Sequence, residues 1–467
     1  MKRVLWLAAL LTCVLSVSHC LALGISMEQE LVPFGENPIT VTASEPGYLT
    51  LRVVQEDIER RVIVEEEAIP QGRTVIPYDG LAWNEEPFAR SSKVTVEALF
   101  HGESGAQEEA SVSTYAKTPK SAIVYALPER SVYAYERGSN GLRIDASLSA
   151  AGQVNLQIVS PDDPDQVLWA QSKSTSGEDN EKFFWKGTTT GGKALPAGDY
   201  ELRAFSRAMP ERILTVPLTL LAAPEEAIEP AVTGSLIPAD DATDEEIWDM
   251  LMQPAFVING GEGGGCAIHE KPSNRSKTVG MITCATVGVT ILDLSHDTHA
   301  LIGAWRQEDG TWVEGYVEKR LLMLKRPNDR VGVVVDKRSQ ELTVFMDGER
   351  LGTAMVSTGL PTASRKRAET RAGVYFTASR QGGFMEEGYR YAYPIRIDGG
   401  NLIHQIGYQS KHGSAPNFTA QIKTLGQKAS HGCIRVDCRV TEASNGINAY
   451  WLWTHLGRNV KIIVIDG

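Results

Sequence analysis

Short stretches of alternating apolar and polar residues recur along the first half of the chain, as at 48–54 (Tyr-Leu-Thr-Leu-Arg-Val-Val) and 93–100 (Lys-Val-Thr-Val-Glu-Ala-Leu-Phe), broken by Gly and Pro turns. A period of two sends successive side chains to opposite faces, so each stretch is predicted to be a strand with one buried face. Residues 25–119 therefore read as a β-sandwich. The pattern returns over 120–221, where 153–159 matches the first strand in type and Leu-Pro-Ala-Gly-Asp-Tyr at 195–200 supplies a turn into another strand.

Downstream the pattern changes. Residues 222–241 are rich in Ala, Pro and acid with no apolar period, the composition of a semi-extended linker. Thr243, with Glu246 three residues on, is expected to cap a short amphipathic helix that Pro254 ends, which gives an acidic linker and helix over 222–254. Two aromatic-bearing stretches, 300–306 and 311–317, flank the turn Gln307-Glu-Asp-Gly310 and predict a hairpin within a unit spanning 255–325. Trp305, Trp312 and Tyr316 on that hairpin either line a ligand groove or fill a small core, the commoner use of such residues. Beyond Arg326-Pro327, β-branched runs at 331–335, 342–345, 353–356 and 373–376, with turns at Asp336-Lys337 and Asp347-Gly348, predict a further sheet.

The chain is thus expected to be mainly β and multidomain. On the quoted strands the two front units resemble tandem immunoglobulin-like sandwiches, and the second is similar to the small Ig-like domains of bacterial surface and flagellar-cap proteins through its 195–200 string. The 255–325 unit resembles the bacterial SH3-like barrel of wall-associated proteins.

Composition narrows the partners. The formal net charge is -12, which argues against nucleic acid. That charge is uneven: from residue 328 onward 18 Lys and Arg face 12 Asp and Glu, a net of +6, whereas 25–327 carry a net of -20. A mildly basic end behind acidic modules suits an anionic polymer such as a bacterial wall. Lys2 and Arg3 precede an apolar stretch at 4–17, with small residues at Ala22 and Gly24, the layout of a secretory signal over 1–24. The apolar stretch is too short to span a bilayer, so the expected product is exported to the periplasm or wall with no membrane span. Cys13 and Cys20 would leave with the signal, and the four remaining cysteines are too few for a disulfide scaffold. Cys266 and Cys284 either pair or stay as two buried thiols, and Cys438 is expected to be a buried thiol. His269, His296 and His299 have no ligand spacing, and neither a metal nor an organic cofactor is expected.

The chemistry concentrates in Ser430-His-Gly-Cys-Ile-Arg435, preceded by a strand at 401–406 that carries His404. A cysteine nucleophile needs help to lose its proton, and a flanking imidazole and the exposed amides of a Gly turn both stabilise charge there. These residues resemble the signature of the YkuD-type L,D-transpeptidases: a His on a strand, a variable segment, then Ser/Thr-His-Gly-Cys with an apolar residue and Arg or Asn behind. The resemblance covers 328–467 and implies a β-sandwich with one flanking helix, expected over 441–456, and a closing strand at 460–465.

The resemblance implies that Cys433 is the nucleophile. Two histidines compete as its base: His412 has the family's usual spacing, 17 intervening residues before Ser430, whereas His404, at 25, has the family's strand context and is preferred. The main-chain carbonyl of Gln405 is expected to orient that ring. Gly432 and Ser430 are assigned to the oxyanion loop. His431 either tunes the thiol or braces its loop, and Arg435 either binds a substrate carboxylate or pins the same loop. Asn417 and Phe418 are candidates to shape a lid. The implied substrate is a peptidoglycan tetrapeptide stem, opened through a cysteine thioester and passed to an amine, with carbapenems as acylating inhibitors. Hydrolysis of the same stem, or a wall-attached scaffold without catalysis, are the competing readings.

Overall fold

The computed structural model describes residues 23–56, 58–135, 138–177, 180–223, 237–411 and 413–466. Residues 1–22 of the expected signal, much of the linker and His412 lie outside the described residues. The described chain is mostly β, with few helices, and no described helix is long and apolar enough to cross a membrane.

The first front unit is a three-stranded sheet facing a five-stranded one across an apolar core that includes Leu49, Leu51, Val53, Val94, Val96 and Phe100. Alternation does this directly: along Gly47–Gln55 the odd residues up to Val53 are buried and the even ones face outward or are only partly covered. The second unit repeats the plan around Leu156, Ile158, Phe183, Trp185 and Leu202. The third is a seven-stranded antiparallel sheet from Ala255–Ile258 to Leu322–Lys325, containing the expected hairpin His299–Trp305 with Trp312–Glu318.

The C-terminal unit starts from the helix α1 (Asp244–Met252), whose cap is as expected: Thr243 accepts from the Glu246 amide and the Glu246 carboxylate accepts from the Thr243 amide. Its strands are β1 (Val331–Asp336), β2 (Glu341–Met346), β3 (Glu349–Ser357), β4 (Gly373–Phe376), the hairpin β5 (Phe384–Glu386) and β6 (Tyr389–Tyr391), β7 (Ile395–Asp398), β8 (Asn401–Gln405), β9 (Ile434–Val436) and β10 (Lys461–Ile465). Eight of them form one sheet in the order β4-β10-β1-β2-β3-β9-β8-β7, with β5–β6 as a separate hairpin. β1 is buried along almost its whole length because α1 covers one face, with Leu251 against Gly332, and the core fills the other.

Three features depart from the sequence reading. The expected helix at 441–456 is only α2 (Ala449–His455): Asn445 and Gly446 take left-handed backbone angles, and Asn448 restarts the chain as N-cap, accepting from the Trp451 amide at 2.9 Å. The third unit and the C-terminal unit share one continuous core, in which Ile258, Ile302 and Val317 join Val333, Ile403 and Ile462. The aromatic trio is not core: Trp312 is 38% exposed, Tyr316 is partly covered, and the partly covered Trp305 ring lies against Gly373 of β4. Cys266, Cys284, Cys433 and Cys438 are all free thiols, Cys284 and Cys438 buried.

Candidate active site

β8 and β9 are adjacent parallel strands, with His404 level with Arg435 and Ile403 level with Ile434. Extending that register by one residue sets Cys433 beside Leu402. Side-chain alternation then puts His404, Arg435 and Cys433 on one face of the strand pair.

His404 is 2% exposed, and its Nδ1 lies 2.7 Å from the carbonyl oxygen of Gln405. A carbonyl only accepts, so Nδ1 carries the proton and Nε2 keeps its lone pair. Burial pulls the imidazole down to about 4, against the Gln405 hydrogen bond, and the nearby Arg435 charge lowers it further. Cys433 is partly covered; burial pushes its thiol up to about 11, while the Leu402 amide and Arg435 favour the thiolate and Glu386 opposes it. The resting pair is therefore a neutral thiol and a neutral imidazole.

The turn before the cysteine is braced by two hydroxyls. Ser430 Oγ donates to the Cys433 carbonyl at 2.5 Å and accepts from the Gly432 amide at 3.2 Å. Thr370 Oγ1 donates to the Gly432 carbonyl at 2.9 Å and accepts from the Gly359 amide at 2.8 Å. Gly432 sits at φ 116, where a Cβ would lie 2.6 Å from Asn401 Oδ1, so only glycine fits. Its amide is already engaged, and to serve an oxyanion it must first release Ser430.

An aromatic cover closes over the imidazole. The Phe384 and Tyr391 rings stack on each other at 5.1 Å and meet His404 edge to face at 5.4 and 4.9 Å. Arg435 lies over the Tyr391 ring at 5.4 Å, and its Nη1 donates to Gln421 and to the Ala429 carbonyl, so it pins the insert and the cysteine loop; its Nε is buried without a partner among the described residues. His431 points outward, 38% exposed at its side chain: Nε2 accepts from Arg365 at 2.8 Å and Nδ1 faces Glu386 at 3.6 Å. It joins the loop carrying Arg365 to the β5–β6 hairpin. Phe418 is buried against Tyr408 and Ile58, and Asn417 pairs with Gln409, so both brace the insert and neither forms a lid.

Phe384, Tyr391, Glu386, Arg365 and Thr370 all contribute here and were not singled out from sequence, because none belongs to the Ser-His-Gly-Cys string. His269 faces the Ser276 carbonyl, and the His296 and His299 rings pack against each other at 5.6 Å in the third unit. Among the described residues no group of three or more His, Cys, Asp or Glu is arranged to hold a metal ion.

Residues 330–463 match the profile of the YkuD family, described as the L,D-transpeptidase catalytic domain. Residues 330–463 are a YkuD-type L,D-transpeptidase catalytic domain. The transpeptidase domain so defined runs from the start of β1 into β10 and includes both His404 and Cys433. Among solved structures, the chain is similar to the L,D-transpeptidase LdtMt1 in complex with imipenem, with 17% identity over 36% of this chain and 69% of that one and a TM-score of 0.23. It is also similar to an L,D-transpeptidase from Mycobacterium smegmatis, with 19% identity over 36% of this chain and 69% of that one and a TM-score of 0.22. A third, from Mycobacterium tuberculosis H37Rv, has 16% identity over 46% of this chain and 92% of that one and a TM-score of 0.24. No curated protein matches the chain.

Proposed function

We propose that the protein is an exported L,D-transpeptidase that cross-links peptidoglycan stems through a thioester on Cys433. The observation that carries this reading is the shared face of β8 and β9, where the Nδ1-protonated His404 and the Cys433 thiol stand one strand apart. In the proposed reaction Cys433 attacks the carbonyl carbon of the third stem residue as its proton passes to Nε2 of His404. The tetrahedral adduct collapses by breaking the C–N bond to the terminal D-Ala, whose nitrogen takes the proton from His404. An amine of a second stem then attacks the thioester, gives its proton to the same nitrogen, and the C–S bond breaks to return the thiol.

The local environment supports each step. The His404 imidazole is unprotonated at neutral pH, so Nε2 is open to the thiol proton, and the Arg435 charge favours the anionic sulfur that results. The Phe384–Tyr391 cover limits water at the thioester, which favours transfer over hydrolysis. His404 is the proposed base, with His412 outside the described residues. The basic transpeptidase domain behind acidic β units fits a wall polymer, with the front units as Ig-like spacers and the third as an SH3-like wall-facing element, and the 1–24 stretch as the export signal. Incubating the purified chain with tetrapeptide muropeptides tests this: 3-to-3 dimers that vanish in Cys433→Ala support it, tripeptides alone turn it into a hydrolase, and no change in the stems refutes it.

A further inference from the structure

The first front unit reaches into the transpeptidase domain through a buried polar contact. Arg60 and Glu86, 5% and 6% exposed, pair at 2.5 Å, and the other carboxylate oxygen of Glu86 accepts from the Tyr393 hydroxyl at 2.8 Å. Beside them Ile58 packs with Ile406, Tyr408, Phe418 and Leu425, while Asn84 donates to the Gly446 carbonyl at 2.8 Å and to the Asn448 cap at 3.0 Å. Asn84, Glu85 and Tyr393 all hold left-handed backbone angles of about +60°, a strain that persists only where surrounding contacts over-determine it. A flexible spacer would need none of this.

Tyr393 lies in the strap between β6 and β7. Two residues before it, Tyr391 covers His404, and one residue before it the Ala392 carbonyl accepts from the Gln405 amide at 3.0 Å. Gln405 in turn fixes His404 through its own carbonyl. A continuous set of contacts thus runs Arg60, Glu86, Tyr393, Ala392, Gln405, His404.

We propose that the first β-sandwich is part of the catalytic unit, with Glu86 and Arg60 as positioning residues that hold, through Tyr393, the strap that sets the His404 ring and its cover. The proposal rests on the function proposed above, with His404 as base. Neither residue touches the reacting atoms.

The test uses the full chain and imipenem as probe, following acylation of Cys433 by intact mass as a function of imipenem concentration and pH. Glu86→Ala severs both contacts but leaves Arg60 buried without its counter-charge, so Tyr393→Phe, which removes one hydroxyl, is the decisive variant, with the thermal midpoint recorded for each. Losing one such hydrogen bond from a positioning path is expected to lower the maximal acylation rate about fivefold in Tyr393→Phe. The half-saturating imipenem concentration stays unchanged, and the acid limb of the rate moves up from about 4 as the cover loosens and water reaches His404. The groups facing that ring are the Gln405 carbonyl, Arg435, Tyr391, Phe384 and, one strand away, Cys433, and none is altered. A Tyr393→Phe chain with the wild-type rate and acid limb overturns the proposal while leaving the function intact. A wild-type chain that imipenem does not acylate removes the function and this proposal together.

Discussion

Nδ1 of His404 lies 2.7 Å from the backbone carbonyl of Gln405, the residue that follows it in the chain. The contact uses only main-chain oxygen from Gln405, so the proposed base depends on no side-chain atom of that residue. Gln405→Ala is predicted to acylate within about threefold of wild type, whereas His404→Gln loses about 10²- to 10⁴-fold, the range of a positioned general base. Stopped mass spectrometry of imipenem acylation measures both, and equal effects would contradict the assignment.

Stability should depend on pH in a defined sense. The folded His404 value of about 4 lies below its ordinary 6.5, so protonation favours the unfolded chain: the contribution is full above 6.5 and is lost as pH falls toward 4. Cys433 and Cys438, raised by burial to about 11 and about 12 from 9.0, work the other way: their contribution is full below 9.0 and is lost as pH rises toward the folded values. Between 6.5 and 9.0 all three of these contributions are full, and His404→Gln is predicted to flatten the fall of the thermal midpoint between 6.5 and 4. A midpoint that climbs below 6.5 would refute the buried neutral imidazole.

Gly432→Ala puts a Cβ 2.6 Å from Asn401 Oδ1 at a backbone angle of φ 116. It should lower stability by about 1–3 kcal/mol and distort the turn that presents Cys433. Denaturant unfolding together with acylation checks this, and an alanine chain that matches wild type in both would show the turn to be unstrained.

The two histidines near the cysteine should behave differently. His431 faces Arg365 and Glu386 in solvent, away from the buried ring of His404. His431→Gln keeps an acceptor for Arg365 and is predicted to change the imipenem acylation rate by less than about threefold, the scale of an exposed polar contact. A loss as large as that of His404→Gln would move the base to His431.

The site was partly legible in the sequence because its signals are local. A period of two marks Gly47–Gln55 and Lys93–Gly102, and Ser-His-Gly-Cys encodes its own turn, with Ser430 bonding back to Cys433 three residues on. The cover was not legible, since Phe384 and Tyr391 reach His404 only after β5–β6 folds over β8, and nothing in their own neighbourhood announces that contact. The helix at 441–456 was over-extended although its interruption is written in Asn445-Gly446-Ile447-Asn448, where a left-handed stop and a new N-cap follow each other. Trp305 was misread because it packs between units: its ring meets Gly373, a partner no pattern within residues 255–325 contains.

In the proposed reaction Cys433 carries the acyl group and His404 is its base. Peptide mapping by mass spectrometry after exposing the full chain to imipenem should find one adduct, on the peptide containing Cys433, absent in Cys433→Ser and strongly slowed in His404→Gln. An unmodified wild-type chain, or an adduct that persists in Cys433→Ser, would contradict that reaction.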